Sequence, residues 1–491
     1  MAKKSIYLTT TIPYVNDRPH LGHALELVQA DVIARAHRGR DHEVFFNFGT
    51  DEHGLKILEA AKKAATPVQE YVDRYAATFE VLRTGLNLSY DAFIRTTDSH
   101  HILAAQEMWR RCDAAGDIYK KKYSGLYCVG CERYVTEKDL VDGKCVDHGK
   151  PPVALEEENY FFRFSKYQQR LLEYLSTPGV IIPEFRREEA IRFVEAGLED
   201  FSISRNVEKM SWGIPVPGDD SQVFYVWFDA LTNYISTLGW PEDQDGNFKK
   251  FWVEGDTTQF AGKDQIRFQS LIWQAMLMSA QLPNTKRVVY HGFINSGGQK
   301  MSKTLGNVLD PQELVAEYGT DAVRYFLLRH ITPFEDSDVT PERLKEAYNA
   351  NLANGLGNLT SRILKMSESY LGDERSLLTR ERSDGEGESL RRTLPAQLPE
   401  MIALLDQYEF AKAMDLIFGM VAELDRSIQE KKPFSVWKTD QEAARVIVRE
   451  LVQSLADIAF LLHPFLPATA EKIAAAIKTN KMPEPLFLRK E

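Results

Sequence analysis

SIYLTTTIPYVNDRPHLGHALELVQADVIARAHRGRDHEVFFNFGTDEHG, residues 5–54, is the stretch on which the fold turns. Its β-branched and aromatic opening, Ser5 to Ile12, reads as a strand. Leu21 to Gly39 carries apolar residues at helical spacing, and Glu43 to Phe48 is a second strand-like run. A further helical pattern follows from Leu55 to Ala65. Strand, helix and strand in that order predict a parallel, doubly wound α/β sheet of Rossmann type.

Outward from this stretch the pattern breaks between Tyr119 and Pro152, a segment rich in Cys, Gly and Lys, and then resumes. Gln222 to Phe228, Thr258 to Phe260 and Lys286 to His291 read as strands with helices between them. From about Leu344 strand signals give way to helical stretches: Glu346 to Leu371, Phe410 to Glu430 and Gln441 to Phe460. Asp373 to Arg392 is charged, contains glycine and has no aromatic residue, which reads as a connector. The expected organisation is two halves of one α/β domain, 1–117 and 216–343, separated by an insertion, 118–215, and followed by an all-α domain, 344–491.

Composition sets outer bounds. At 491 residues the chain exceeds what one core organises. It is 44% hydrophobic and 27% charged, with no run of roughly 18 uncharged apolar residues of the kind a membrane span needs. The start, MAKKSIYLTT, has neither the apolar core of a secretory signal nor an Arg-rich leader, so a cytoplasmic protein without a membrane partner is expected. A net charge of −11 excludes a surface basic all over, though it leaves room for a local basic face. Four cysteines do not make a disulfide framework; Cys112 reads as a small buried apolar residue.

Two motifs carry cationic or hydrogen-bonding chemistry. His20-Leu21-Gly22-His23 lies where a strand passes into a helix, and a helix N-terminus offers free N–H groups suited to phosphate. Glycine at 22 would let a nucleotide come close to the backbone. Lys300-Met301-Ser302-Lys303-Thr304, between Gly297-Gly298 and Gly306, places two ammonium groups three residues apart on a loop. Such a pair can clamp a triphosphate and neutralise charge on departing pyrophosphate. Either motif alone could be an ordinary surface loop. A third pattern, Cys128-x-x-Cys131 with Cys145-x-x-His148, supplies two short chelating pairs and fits one structural, tetrahedral Zn2+. In the helical region, Asn358 and Arg362 sit four apart on one helix face, a spacing suited to hydrogen bonding unstacked bases.

HLGH and KMSKT resemble the two signatures of class I aminoacyl-tRNA synthetases. Pro13-Tyr14-Val15-Asn16, Gly49-Thr50-Asp51-Glu52-His53-Gly54, Tyr225-Val226-Trp227-Phe228-Asp229-Ala230 and Gly262-Lys263-Asp264 are similar, in order, to blocks of the methionyl-tRNA synthetase family. The similarity runs from about Ile6 to Phe465. The resemblance implies a methionine–tRNA ligase that forms methionyl-adenylate from methionine and ATP with Mg2+, then loads tRNA(Met). It implies that His20, Gly22, His23, Lys263, Lys300 and Lys303 handle ATP and that Asp264 lies against the ribose. Asp51 would hold the methionine ammonium. Ile12, Tyr14, Val226, Trp227, Ala230 and Tyr234 would line the side-chain cavity, where sulfur–aromatic contacts are favourable.

The chain departs from the family at Gln265 and Gln269, which stand where an isoleucine and a histidine are usual. Two amides there would make that wall polar, turn outward, or satisfy each other. Asn358 and Arg362 resemble the family's anticodon-reading pair. The stacking aromatic that follows Lys432-Pro433 is either Phe434 or Trp437. The insertion of roughly a hundred residues lacks the bulk of the editing domains found in synthetases for valine, isoleucine and leucine. Cysteinyl-tRNA synthetase is the nearest enzymatic competitor, and a catalytically silent tRNA-binding scaffold is the alternative of another class. A monomer is expected, since no strand-rich dimerising tail follows the helices.

Overall fold

The computed structural model describes residues 3–129, 133–135, 140–146, 149–300, 308–372, 394–481 and 484–491. Cys131, His148, Lys303 and the connector Asp373 to Arg392 therefore lie outside the described residues, and of Lys300 only the backbone is described. The chain forms two compact units. One gathers Met1–Pro19, His37–Arg83 and Ser89–His291; the other gathers His20–Ala36, Thr84–Leu88 and Gly292–Glu491.

The first unit is built on a six-stranded sheet whose members we number along the chain: β1 (Ser5–Thr9), β2 (Glu43–Thr50), β3 (Ala92–Arg95), β4 (Ile181–Ile182), β5 (Asp256–Gly262) and β6 (Arg287–His291). Their order in the sheet is β3-β2-β1-β5-β6-β4, and every pairing is parallel. The centre of the sheet joins distant stretches: Ile6 faces Val44 on one side and Asp256 on the other. Four of the five β1 residues are buried, the mark of a strand covered on both faces. Tyr7 donates from its hydroxyl to the Tyr234 carbonyl at 2.8 Å. Around it Trp252 and Trp273 meet edge to face at 5.9 Å, and Trp109 stacks on Phe224 at 4.8 Å. These rings belong to one apolar core with Met108, Leu171, Leu238 and Leu277.

The segment expected as an insertion, 118–215, opens as an antiparallel hairpin, Ile118–Cys128 against Val153–Phe162, with Arg133–Val135 and Phe201–Ser202 at its edges; farther along, its Ile181–Ile182 is β4 of the parallel sheet. One expectation needs correction. Gln222 to Phe228 is not a single strand: the strand is Asp219–Phe224, and Val226–Ala230 is a short helix. Pairing ends where Tyr225 N–H bonds the Ile203 carbonyl; Phe228 and Asp229 N–H then turn back onto Tyr225 O, at 3.0 and 3.4 Å. A continuous apolar run fits a buried strand or a buried helix equally well, so periodicity could not separate them.

Among its described residues the second unit is helical apart from a small sheet of Ile294–Ser296, Gln299–Lys300 and Ser337–Asp338. Its longest helices are Phe410–Lys431 and Gln441–Leu462, close to the expected bounds, with Thr320–Arg329, Asn358–Leu371 and Pro467–Thr479 packed among them. Caps set several starts. Asp310 accepts from Gln312 N–H with Pro311 at the first helical position, and Asp440 accepts from Ala443 N–H. The stretch expected as one helix from Glu346 changes pitch, with wider π-type turns over Tyr348–Gly357 before the α-helix resumes at Asn358.

Candidate functional site

In the first unit, Ile12, Tyr14 and Asp51 follow the carboxyl ends of parallel strands, where ligands of open α/β sheets bind, while Val226, Trp227, Ala230 and Tyr234 follow the antiparallel strand Asp219–Phe224. Tyr14, beyond β1, and Asp51, beyond β2, are joined by a parallel bridge: Asp51 N–H donates to Pro13 O at 2.9 Å and Val15 N–H to Asp51 O at 3.2 Å. The Asp51 carboxylate is buried and Tyr14 half-buried, as is Ile12. Tyr14 meets Trp227 edge to face at 6.1 Å, and Trp227 lies flat on Phe268 at 3.7 Å. Val226 and Ala230, one helical turn apart, are both buried, and Tyr234 follows on Asn233–Ser236. Lys263 and Asp264 occupy a single helical turn, Lys263–Gln265, directly after β5.

The two glutamines do not satisfy each other. Gln265 donates to its neighbour Asp264 at 3.2 Å, while Gln269 is buried and its Nε2 donates to the Tyr234 hydroxyl at 2.5 Å. That leaves Gln269 Oε1 and the Trp227 indole N–H buried without a hydrogen-bond partner among the described residues. One accepts and the other donates, and a buried orphan of either kind costs about 1–3 kcal/mol. Such atoms suit a cavity that a polar or polarisable ligand completes.

Behind this wall stands a network that the sequence did not reveal. Asp229, fully buried, accepts from His53 at 2.7 Å on one oxygen and from His101 at 2.8 Å on the other; His101 also bonds Ser236 at 2.9 Å. Burial pushes the Asp229 carboxyl up, but the charges and hydrogen bonds of His53 and His101 outweigh it and hold it below the usual carboxylate range. Asp229 and His53 stood in quoted blocks without a role, and nothing in the local sequence marked His101. Trp212 adds another link, its indole donating to Glu52 O at 2.5 Å.

In the second unit, the first signature opens its helix as expected. The His20 and His23 rings stack at 3.8 Å and 18°. Gly22 N–H donates to His20 Nδ1 at 3.1 Å, and a Cβ at position 22 would stand 2.9 Å from the His20 ring. The glycine thus makes room for imidazole as well as for any ligand. Leu21 N–H donates to the Leu309 carbonyl at 3.1 Å, which seats HLGH beside the chain that leaves the KMSKT loop, six residues past Lys303.

Farther along the same unit, Asn358 and Arg362 line a groove of about 330 Å³ with Arg329, Asn351, Asn354 and Asp425. Arg362 forms an ion pair with Asp425, both about one third exposed. The two candidate stacking rings differ. Trp437 is stacked on Tyr370 at 4.1 Å, with Arg445 over it at 5.8 Å, whereas the Phe434 ring is 52% exposed. Of the four proposed metal ligands, Cys128 and Cys145 are described: both are buried in one small cluster with Val135, Leu126 and Leu140. Gly149 N–H closes a turn onto Cys145 O at 2.8 Å, and Cys145 N–H bonds Lys150 O at 2.9 Å.

Comparison with known proteins agrees with the arrangement. Residues 6–147 and 128–364 match a family model described as tRNA synthetases class I (M), and residues 380–486 match the anticodon binding domain of methionyl tRNA ligase. A methionine–tRNA ligase of Caldanaerobacter subterraneus is 42% identical over 96% of this chain and 73% of its own. One of Brucella suis is 40% identical over 96% of this chain and 92% of its own. Among solved structures, Mycobacterium tuberculosis methionyl-tRNA synthetase in complex with methionyl-adenylate superposes with a TM-score of 0.89 at 37% identity, over 99% of this chain and all of that one.

Proposed function

Because the chain belongs to the methionyl-tRNA synthetases of class I, we propose that the residues described above divide its two-step reaction among themselves. The enzyme activates L-methionine with ATP and transfers it to the 3'-terminal adenosine of tRNA(Met). In the first step a methionine carboxylate oxygen attacks the α-phosphorus; the bond to the β-phosphate oxygen breaks and pyrophosphate leaves. In the second step a hydroxyl of the terminal adenosine attacks the methionyl carbonyl and AMP departs. No enzyme atom is bonded to substrate in either step, so the protein acts by positioning and by stabilising charge.

The carboxylate of Asp51 holds the methionine ammonium. Ile12, Tyr14, Val226, Trp227, Ala230 and Tyr234 enclose its side chain, and Trp227 and Gln269 offer polar edges beside the thioether. Lys263 and Asp264 hold ATP with the imidazoles of His20 and His23, and Gly22 lets the nucleotide come close to the backbone. Lys300 and Lys303 neutralise the departing pyrophosphate, whose Mg2+ travels with ATP as substrate. The observation that supports this reading is the Leu21–Leu309 hydrogen bond, which ties the first signature to the stretch that follows the second in sequence.

Zinc fits the insertion on present contacts: two thiols lie in the same small apolar cluster, at a turn closed by Gly149, and so few apolar side chains would not hold the tip by themselves. Cys128, Cys131, Cys145 and His148 would bind one Zn2+ and stiffen the hairpin. For tRNA, Asn358 and Arg362 read anticodon bases and the exposed Phe434 ring stacks on one, while Trp437 serves as the packed support beneath. The pairing of β1 with β5 supports reading 1–117 and 216–343 as halves of one catalytic domain, with 118–215 between them except that β4 within that interval joins the same sheet, and 344–491 as the anticodon-binding part. Among the described residues no helix is long and apolar enough to cross a membrane, and we read the enzyme as a cytoplasmic monomer. ATP–pyrophosphate exchange measured with each of the twenty amino acids tests the whole reading. Methionine-dependent exchange is expected; exchange with another amino acid alone, or with none, would overturn it.

A further inference from the structure

The second unit contains a polar knot that the reaction as described does not use. Arg324, on helix Thr320–Arg329, has no solvent exposure, and neither has its partner Asp31, on helix Leu21–Gly39, at 2.8 Å. The remaining guanidinium edges are spent on backbone carbonyls: Nε donates to Phe465 O at 2.7 Å, Nη2 to Pro464 O at 3.1 Å and Nη1 to Leu86 O at 3.0 Å. Asp31 is also held by Arg35 at 2.7 Å, and Arg35 reaches on to the Asn87 carbonyl at 2.6 Å. One turn before Arg324, Asp321 accepts from Thr469 N–H at 2.6 Å, at the start of the helix Pro467–Thr479.

Four separate stretches of chain thus meet at one side chain. Burying a charge pair is a poor way to gain stability, because apolar residues of similar volume hold elements together as well or better. What the guanidinium adds is direction, since its planar fork is satisfied by one arrangement of acceptors and not by a slipped one. Asp31 lies eight residues past His23 on the same helix, about 12 Å along a rigid rod. Shifting Asp31 therefore shifts the stacked imidazoles.

We infer that Arg324 is a positioning residue for the adenylation step: it sets the axial position of the HLGH helix against the 464–469 corner of the helical bundle. The inference rests on the assignment of His20 and His23 to ATP. Neither Asp31 nor Arg324 touches substrate, and the two sides of the knot can be loosened separately. Asp31→Asn keeps the shape but weakens the hold on the HLGH helix. Arg324→Lys keeps a charge for Asp31 but cannot reach both Pro464 and Phe465 carbonyls.

The test measures exchange and aminoacylation on the full-length variants, with folded fraction followed by circular dichroism. Asp31→Asn should lower exchange kcat by about 10- to 100-fold with the methionine KM unchanged, the scale of a misplacement near 1 Å. Arg324→Lys, which frees the helix on the bundle side, should likewise lower exchange kcat, by about tenfold, with the methionine KM unchanged. Arg35→Met, at the rim of the knot, should shift exchange in the same direction by less, and it decides the matter if Asp31→Asn does not fold. Folded variants with wild-type exchange and aminoacylation would make the knot purely structural and overturn the inference. Failure of the ATP assignment looks different: His20→Ala and His23→Ala would then exchange at the wild-type rate.

Discussion

At the scale of single residues, the sharpest prediction concerns Lys303. Lys303→Ala should lower ATP–pyrophosphate exchange by roughly 100- to 1000-fold, equivalent to ~2.7–4 kcal/mol of barrier, as expected for a lost transition-state donor. Exchange near the wild-type rate would remove this lysine from the chemistry. The anticodon side offers a contrast between two rings. Phe434→Ala should raise the tRNA KM by about 5- to 100-fold, from the ~1–3 kcal/mol of a base stack, and leave exchange unchanged. Trp437→Ala, which removes the partner of Tyr370, should lower thermal stability instead; the opposite assignment of the two effects would reverse their roles. His37 yields a pH prediction. Burial, then the charges of Arg40 and His42, push its imidazole down to about 3 from 6.5. Between those values the unfolded chain takes up a proton that the folded protein refuses, so stability falls as pH falls through the window, by at most about 1.4 kcal/mol per pH unit. His37→Gln should flatten that part of an acid-unfolding curve; an unchanged curve would show that other groups set it. The sequence motifs drew attention to His20, Asp51 and Lys263, which lie at a helix start, at the bridge to Tyr14 and on the turn after β5. The pairing of Asp229 with His101 was not legible, because a network of residues 53, 101, 229 and 236 has no local spacing to read.

At the scale of elements, periodicity located the helices and the edges of the sheet well, as Leu21–Gly39 and Phe410–Lys431 illustrate. It failed at Tyr225–Ala230, where the apolar run Val223–Phe228 hid the change from strand to helix. That change matters, since the helical turn stacks Val226 on Ala230 and turns Trp227 onto Phe268. The widened turns of Tyr348–Gly357 were also invisible, because their sequence, with three asparagines and two glycines, is compatible with several pitches. For the inserted hairpin, removal of metal by a strong chelator should speed hydrogen exchange across 118–162 while leaving β1, β2 and β5 protected. Metal analysis should find one zinc per chain; purified protein free of zinc with a well-protected hairpin would exclude the site.

At the scale of the whole molecule, a chain of net charge −11 must bind a polyanion through a local patch. The tRNA KM should therefore rise steeply with salt, while exchange, which involves no tRNA, stays nearly flat up to moderate ionic strength. Equal salt dependence of the two assays would place the ionic contacts in the active site. Fold class could be read because strand and helix alternate audibly at both ends of the catalytic half. Which strands lie side by side could not, because pairing between Ile6 and Asp256 leaves no trace in either neighbourhood. That same pairing governs how the protein comes off the ribosome. With β1 seated between β2 and β5, the first strand made has an open flank until more than half of the polypeptide has been synthesised. Through that interval a strand destined for burial, Ser5–Thr9, awaits its neighbour, and at ~5–20 residues per second the wait lasts on the order of ten seconds or more. Nascent chains stalled before β5 emerges are the ones a chaperone would need to shield.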